Sequence, residues 1–564
     1  MKVFDKSSST AVIEASTGYD PHHDFVWLLL RPWIWIPRLF QIITSLSLLA
    51  IRMLIQGSSS DEKVHKNLAK TLLKTLTELG PCFIKVGQAL STRPDLVRSD
   101  WLEELTNLQD NLPPFEHQRA LATIQEELGA PASQIFEEFP EEPIASASLG
   151  QVYKARLQGD YWVAVKIQRP SLPFILRRDL VIIKILSIIT SPILPLNLGF
   201  SLSEIIDEFG RTLFEEIDYE LEADNAEKFS DLFRGNPAVY VPRVERLVSS
   251  QKVITTSWVE GVKLKDSKEL KELGLDPSAL IRTGVISGIQ QLLEFGYFHA
   301  DPHPGNMFAL EGKTGNLGNM AYIDFGMMDS ISNGDRVTLT GAIVHLINKD
   351  FGLLARSFKE LGFLSEKQNL EAITPVIEEV LGGSLGEEVK DFNFKAITDK
   401  FSELMFDYPF RVPARFALII RAVVSQEGLA LKLDPKFKII SVAYPYVAKR
   451  LLSGETKEML EILLDVIFDK DGGLRLDRIE SLLGVLTKDS DSSESDLLPV
   501  AGAGLKLLLS SEGYSLRRNL LMTLIKDERL NTSDMKELIS LLKRTFKTKK
   551  LAGDLVKKII PLSI

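Results

Sequence analysis

The sequence predicts an α+β fold in which a small sheet-forming segment is inserted between long helical stretches. Three observations carry this. Residues 61–130 and the stretch after Gly326 follow helical periodicity. Between Pro143 and Gln168 the pattern changes to the two-residue alternation of strands. From Phe298 to Met327 short apolar runs enclose a polar stretch rich in His, Asp, Asn and Gly, the composition of a functional loop on a scaffold.

A chain of 564 residues holds several domains and buries large cores. Hydrophobic residues make up 45% and charged residues 25%, ordinary values for a globular protein. The net charge of -10 argues against a nucleic-acid binder. A single cysteine, Cys82, excludes an internal disulfide and a Cys-rich metal site. The seven histidines show no metal-ligand spacing, and His22-His23 reads as a solvated pair.

Residues 1–60 form a tail. The first 25 residues carry Asp5, Glu14, Asp20 and Asp24, unlike a signal or transit peptide. Phe25 to Ile55 is strongly apolar, with Trp27, Trp33 and Trp35 clustered beside Arg31 and Arg38. Its uncharged run, Leu39–Ile51, is 13 residues, short of the roughly 20 that a spanning helix needs. The expectation is an interfacial segment on a membrane surface rather than a transmembrane helix, separable from a folded core. Residues 61–130 form a helical extension. Gly80-Pro81 breaks one helix and starts the next, which carries Lys85 and Gln88 on one face with Gly87 between them. A further helix ends at Leu105–Asp110, before Pro113-Pro114.

Residues 131–261 hold the strands. Ala145-Ser146-Ala147-Ser148-Leu149-Gly150-Gln151-Val152 stands where a phosphate-covering loop, G-x-G-x-x-G-x-V, is expected. Only Gly150 and Val152 keep that pattern, and alanine lacks glycine's dihedral freedom, so the loop is expected to be stiffer. In the strand that follows, Trp162, Ala164 and Lys166 share a face. Ala164 would roof an adenine and Lys166 would reach the α/β-phosphates. Leu180–Leu196, interrupted by Lys184 and Pro192, reads as buried or interfacial. An acidic helix offers Glu216, Asp218 and Glu222, of which Glu222 is the expected partner of Lys166. Thr255 to Gly261 ends a strand and turns, the place where adenine hydrogen-bonds, and brings Glu260 to the site.

Residues 262–485 carry the chemistry. Asp301 is followed five residues later by Asn306, and then by Asp324-Phe325-Gly326. Protein kinases place a catalytic base, a metal-binding asparagine and a metal-binding aspartate in this order. Magnesium bridging phosphates takes hard oxygen ligands, here Asn306 and Asp324. Asp301 would receive the attacking hydroxyl or water. The chain has no A-P-E, little room for an activation segment, and Ala300 where an arginine would precede the base. These departures argue against an ordinary protein kinase. Asp335 is the expected cap of the next helix, and Arg421 and Glu427 fall in the last firm helical block. Residues 486–564 comprise a Ser/Asp linker, Asp489–Asp496, and a helical tail with a basic end from Lys543 to Lys550.

Lys85-x-Gly-Gln88, the alanine-rich loop, Val-Ala-Val-Lys166, Glu216-x-Asp218 with Glu222, FHADPHPGN and DFG occur in one order. Together, over roughly residues 65–450, they resemble the UbiB family of aarF-domain-containing atypical kinases. Ser146 departs from the family's usual alanine. The resemblance implies a protein-kinase-like two-lobe fold with a helical N-terminal extension and a helical C-terminal tail. It implies that Lys85 and Gln88, with Glu216 and Asp218, gate the active site, Lys85 facing Glu216. It further implies ATP and Mg2+ as cofactors, and hydrolysis or phosphoryl transfer in support of prenylquinone metabolism (coenzyme Q, plastoquinone or tocopherol). Many family members have a C-terminal spanning segment. None is read here, so attachment would rest on residues 25–55, at a cytoplasmic or stromal face. The expected partners are a prenylquinone or lipid precursor and a membrane surface, with nucleic acid excluded and a protein substrate disfavoured. Alternative readings are a nucleotide-gated lipid-binding protein with incidental turnover, and a true protein kinase.

Overall fold

The computed structural model describes residues 18–56, 62–90, 113–190, 202–264, 267–310, 319–382, 412–453 and 457–468, with scattered positions besides. The helix end at 105–110, Pro192, the Ser/Asp linker and the basic end lie outside the described residues. The chain divides into two units. The first comprises residues 1–280, 299–329 and 417–425; the second comprises 281–298, 330–416 and 426–564.

The first unit opens with α1 (Pro21–Leu29) and α2 (Pro32–Gln56). Asp20 caps α1 by accepting the His22 and His23 N–H groups at 3.0 and 2.9 Å, so those exposed histidines mark a helix start. The apolar segment is one helix of 25 residues, about 37 Å long, that runs through Arg38, Pro37 and Arg52. Among the described residues it alone is long and apolar enough to cross a membrane. It is not separable, however. Ile42 and Leu49 are buried, and Ile42 belongs to a core with Leu76, Phe83, Leu176 and Phe214. Those partners come from α3 (Glu62–Leu79), α4 (Pro81–Leu90), α6 (Leu172–Thr190) and α7 (Leu202–Glu216). The expectation that the segment leaves an intact core behind is therefore corrected: its inner face completes that core. Its outer face is apolar and exposed at Trp33, Ile36, Phe40, Ile43, Ile51 and Leu54, a helical spacing. Gly80, in a left-handed conformation at φ +96°, ends α3, and Pro81 starts α4 as the sequence predicts.

The sheet of this unit has the order β1-β2-β3-β5, with β1 (Ala145–Ser146), β2 (Gly150–Leu157), β3 (Tyr161–Gln168) and β5 (Val253–Ser257) all antiparallel. Strand alternation sends Val163, Val165 and Ile167 into a core with Tyr153 and Ile124 of α5 (His117–Leu128). The opposite face carries Ala164 and Lys166, with Val152 directly across from Lys166. A second sheet, β4 (Val239–Tyr240), β9 (Asn319–Tyr322), β8 (Met307–Leu310) and β6 (Val262–Lys263), supports the polar loops on either side of it.

The second unit is helical. It contains α10 (Asn333–Ile347), α11 (Phe351–Glu360), α12 (Leu370–Gly382), α14 (Ile439–Ser453) and α15 (Lys457–Ile467), with parts of α9 (Pro277–Ile289) and α13 (Ala414–Leu433). Phe363 packs against both Phe358 and Phe416 in tilted ring contacts, with centroids 5.5 and 5.1 Å apart. The cap of α10 is Ser332, not Asp335. Ser332 Oγ accepts the Asp335 N–H at 3.1 Å and donates to its carboxylate at 2.9 Å, because the hydroxyl sits three residues earlier at the true N-cap. In the tail, Ile525–Lys526 and Arg529–Leu530 pair as an antiparallel strand pair rather than a helix.

Candidate active site

The candidate catalytic, nucleotide, metal and gating residues all fall in the first unit. Lys166, on β3, donates to both carboxylate oxygens of Glu222 at 2.9 and 2.8 Å. Glu222 lies in α8 (Tyr219–Leu232) and is buried. The same ammonium stands 3.4 Å from Asp324 Oδ2. Burial alone would depress the Lys166 pKa, but the Asp324 and Glu222 carboxylates overcome it and raise it well above the ordinary lysine value. Burial pushes the Glu222 carboxyl up to about 7, against the pull of Lys166. For Asp324 burial is outweighed by the Lys166 charge and the Gly326 N–H, and the carboxyl is held well below the usual range.

Asp324 is positioned by its neighbours in sequence and by one histidine. Its Oδ1 accepts the Gly326 N–H at 3.0 Å. His299, buried at the end of β7 (Tyr297–His299), accepts the Asp301 N–H on Nδ1 at 3.0 Å. Its proton is therefore on Nε2, which donates to the Asp324 carbonyl at 2.7 Å. One imidazole thus ties the loop of the candidate base to the loop of the candidate metal ligand, and burial lowers its pKa so that it stays neutral. Asn225 of α8 donates to the Phe325 carbonyl at 3.0 Å, and Phe325 packs on Phe229 of the same helix.

Asp301 is half-buried, and its Oδ2 is 2.7 Å from Arg421 Nη2. Arg421 lies in the part of α13 that belongs to this unit. It supplies, from 120 positions downstream, a guanidinium at the aspartate that Ala300 cannot provide. Asn306 donates Nδ2 to the Asp301 carbonyl at 3.4 Å, which turns its Oδ1 away from that carbonyl. Asn306 Oδ1 and Asp324 Oδ2 offer the hard oxygens that magnesium takes. Among the described residues no group of three or more His, Cys, Asp or Glu forms a complete metal cage. An ion held here would draw its other ligands from phosphate and water, as magnesium in nucleotide sites does.

The gating group is partly assembled. Lys85 of α4 pairs with Glu216 at the end of α7. Gln88 lies one turn on, half-buried. Asp218 sits at the start of α8, where its Oδ1 caps the helix by accepting the Glu220 and Leu221 N–H groups at 3.1 and 3.3 Å. Its carboxylate is thereby engaged in structure. Glu260 is exposed beyond β5. Gly150 is required for close approach: a Cβ there would stand 2.5 Å from the Ile167 carbonyl and 2.6 Å from the Tyr219 hydroxyl. Sequence reasoning missed the roles of His299 and Arg421. The first had a signal, its place two residues before the base; the second had none.

A lysine and a buried glutamate paired on a sheet–helix frame, with an Asp-Phe-Gly and an Asp-x4-Asn loop beside them, form a kinase-like arrangement. Residues 107–358 match the ABC1 atypical kinase-like domain. A Synechocystis protein without an assigned function is 49% identical over 93% of this chain and 91% of its own. Two Arabidopsis thaliana chloroplastic proteins, ACTIVITY OF BC1 COMPLEX KINASE 1 and 3, are each 40% identical. They cover 84% and 86% of this chain, and 70% and 67% of their own length. The chain belongs to the ABC1 (aarF-domain) family of atypical kinase-like proteins.

Proposed function

We propose that this chain binds Mg-ATP between the alanine-rich loop and Asp324, and hydrolyses it or transfers its terminal phosphoryl group, at a membrane surface. The observation that carries the reading is the Lys166–Glu222 pair within 3.4 Å of Asp324, three groups whose charges are useful together around a polyphosphate. Lys166 would hold the α/β-phosphates and Glu222 would orient Lys166. Asp324 and Asn306 would hold magnesium, which neutralises phosphate charge when bound. Asp301 would direct the acceptor hydroxyl or water and take its proton. Ala145, Ser146, Ala147 and Ser148 would cover the phosphates.

The acceptor class follows from the family resemblance and the surface of α2. The resemblance suggests prenylquinone metabolism, and the exposed stripe of Trp33, Phe40 and Leu54 suits a bilayer interface where such lipids reside. Lys85 paired with Glu216 would close the approach that a protein substrate needs.

One observation favours the reading of a nucleotide-gated lipid-binding protein instead. Arg421 already occupies one oxygen of Asp301, so the base is paired with a guanidinium. The deciding experiment measures phosphate release and label transfer from ATP side by side, with liposomes that contain prenylquinone precursors and with a protein acceptor. Transfer to the lipid or release of phosphate above the Asp301→Asn background supports the enzyme. Nucleotide binding without either product supports the gated binder.

A further inference from the structure

Arg169 lies one residue beyond β3. Its side chain reaches back along the alanine-rich loop. Nε donates to the Ala147 carbonyl at 3.0 Å, and Nη2 donates to Ser146 Oγ at 3.2 Å and to the Pro113 carbonyl at 3.0 Å. Its backbone N–H donates to the Leu149 carbonyl at 2.8 Å. One residue thus holds two carbonyls and one hydroxyl of the four residues 146–149, and the planar fork of arginine suits such divergent acceptors.

The loop needs this. No residue from 145 to 150 has a positive φ, so its path is one that alanine adopts freely and glycine freedom does not set it. What remains to be set is the orientation of the peptide planes. In a trans peptide the N–H points opposite to the carbonyl. Turning the Ala147 carbonyl onto Arg169 therefore turns the Ser148 N–H away from it. Among the described residues the Ser148 and Leu149 N–H groups have no hydrogen-bond partner, whereas the Ala147 N–H is engaged by the Gly150 carbonyl at 2.8 Å. Unengaged successive N–H groups are what an anion-binding loop presents.

We infer that Arg169 is a positioning residue that latches the alanine-rich loop so that the Ser148 N–H faces a nucleotide phosphate. The inference rests on the nucleotide-binding reading above. The latch replaces, with one side chain, the conformational selection that glycines make in other phosphate loops.

The test compares the full chain with Arg169→Gln and Arg169→Lys. Affinities for Mg-ATP, Mg-ADP and adenosine are measured by calorimetry, and amide exchange is followed over residues 145–150. Both variants should bind Mg-ATP and Mg-ADP roughly tenfold more weakly, the worth of one hydrogen bond to a charged group. Adenosine affinity should be unchanged, and nucleotide protection of the Ser148 amide should be lost. Arg169→Lys keeps the charge and the stem, so it decides the matter if Arg169→Gln does not fold. Parent-like Mg-ATP affinity in Arg169→Lys overturns the latch and leaves nucleotide binding standing. An equal loss for adenosine also overturns it, because a general scaffold role would act on the whole nucleoside. A parent that binds no Mg-ATP overturns the nucleotide reading itself, and the latch with it.

Discussion

Two sets of buried ion pairs in the first unit use the same chemistry for different ends. In the N-terminal helical layer Asp179 is wholly buried and accepts Nε and Nη2 of Arg38 at 3.1 and 2.8 Å and Nε of Arg178 at 2.9 Å. Beside it, Arg177 lies 3.3 Å from the buried Asp24. These carboxylates are enclosed on every side. In the site, Asp324 has the same kind of partner in Lys166, but its side chain is 36% exposed. The difference teaches what makes a charge cluster a site. A carboxylate buried among guanidinium groups fixes packing, while one with an open side can also meet a ligand.

Breaking the open set at its acceptor end should give the largest effect. Asp301→Asn should lower turnover by ~10²–10⁴-fold, the usual worth of a positioned base, while nucleotide-induced thermal stabilisation stays as in the parent. Parent-like turnover would remove Asp301 from the mechanism and favour the gated binder.

Breaking the closed set should cost stability instead. Asp179→Ala strands Arg38 and should destabilise the fold by about 3–5 kcal/mol, read as a lower midpoint of denaturant unfolding. Nucleotide affinity of the folded fraction should be unaffected. If it falls, the helical layer is coupled to the site and the comparison fails.

Asp324→Asn removes a formal charge from the open set. It should weaken Mg-nucleotide binding by roughly 10²-fold or more, above the 10–100-fold typical of losing an outer partner of a metal. Binding of nucleotide without magnesium should fall far less, and calorimetry with and without the ion separates the two.

The outer face of α2 should carry no stability at all. Trp33→Ser, Phe40→Ser and Leu54→Ser together should abolish flotation with anionic liposomes and shift stability by no more than about 0.5 kcal/mol per site. Undiminished flotation would move the membrane contact elsewhere.

The smallest effect is on pH. Burial lowers the pKa of His299 and of His345 in α10 below the unfolded value of about 6.5. Below that pH the unfolded chain takes up protons that the folded chain refuses. Stability is thus fully present above about pH 6.5 and falls as the pH drops, by at most ~1.4 kcal/mol per unit for each histidine. Unfolding midpoints at pH 7.5 and 5.5 should show the fall, and His345→Gln should reduce it. An equal fall in the variant would assign it to other groups.

The sequence by itself determined the parts written in local pattern. The alternation around Lys166, the Gly80-Pro81 break, and the spacing of Asp301, Asn306 and Asp324 are properties of neighbouring residues, and backbone periodicity turns them directly into geometry. The tertiary structure decided the rest. That Arg421 meets Asp301, that Arg169 turns back onto its loop, and that Arg38 of α2 pairs with the buried Asp179, all depend on contacts between distant or reversed segments. With 66 basic and 76 acidic side chains in the chain, any guanidinium has many eligible carboxylates. Only the packing of helices and sheet selects which of them meet, because an ion pair is specified by where two backbones place it and not by the residue types that form it.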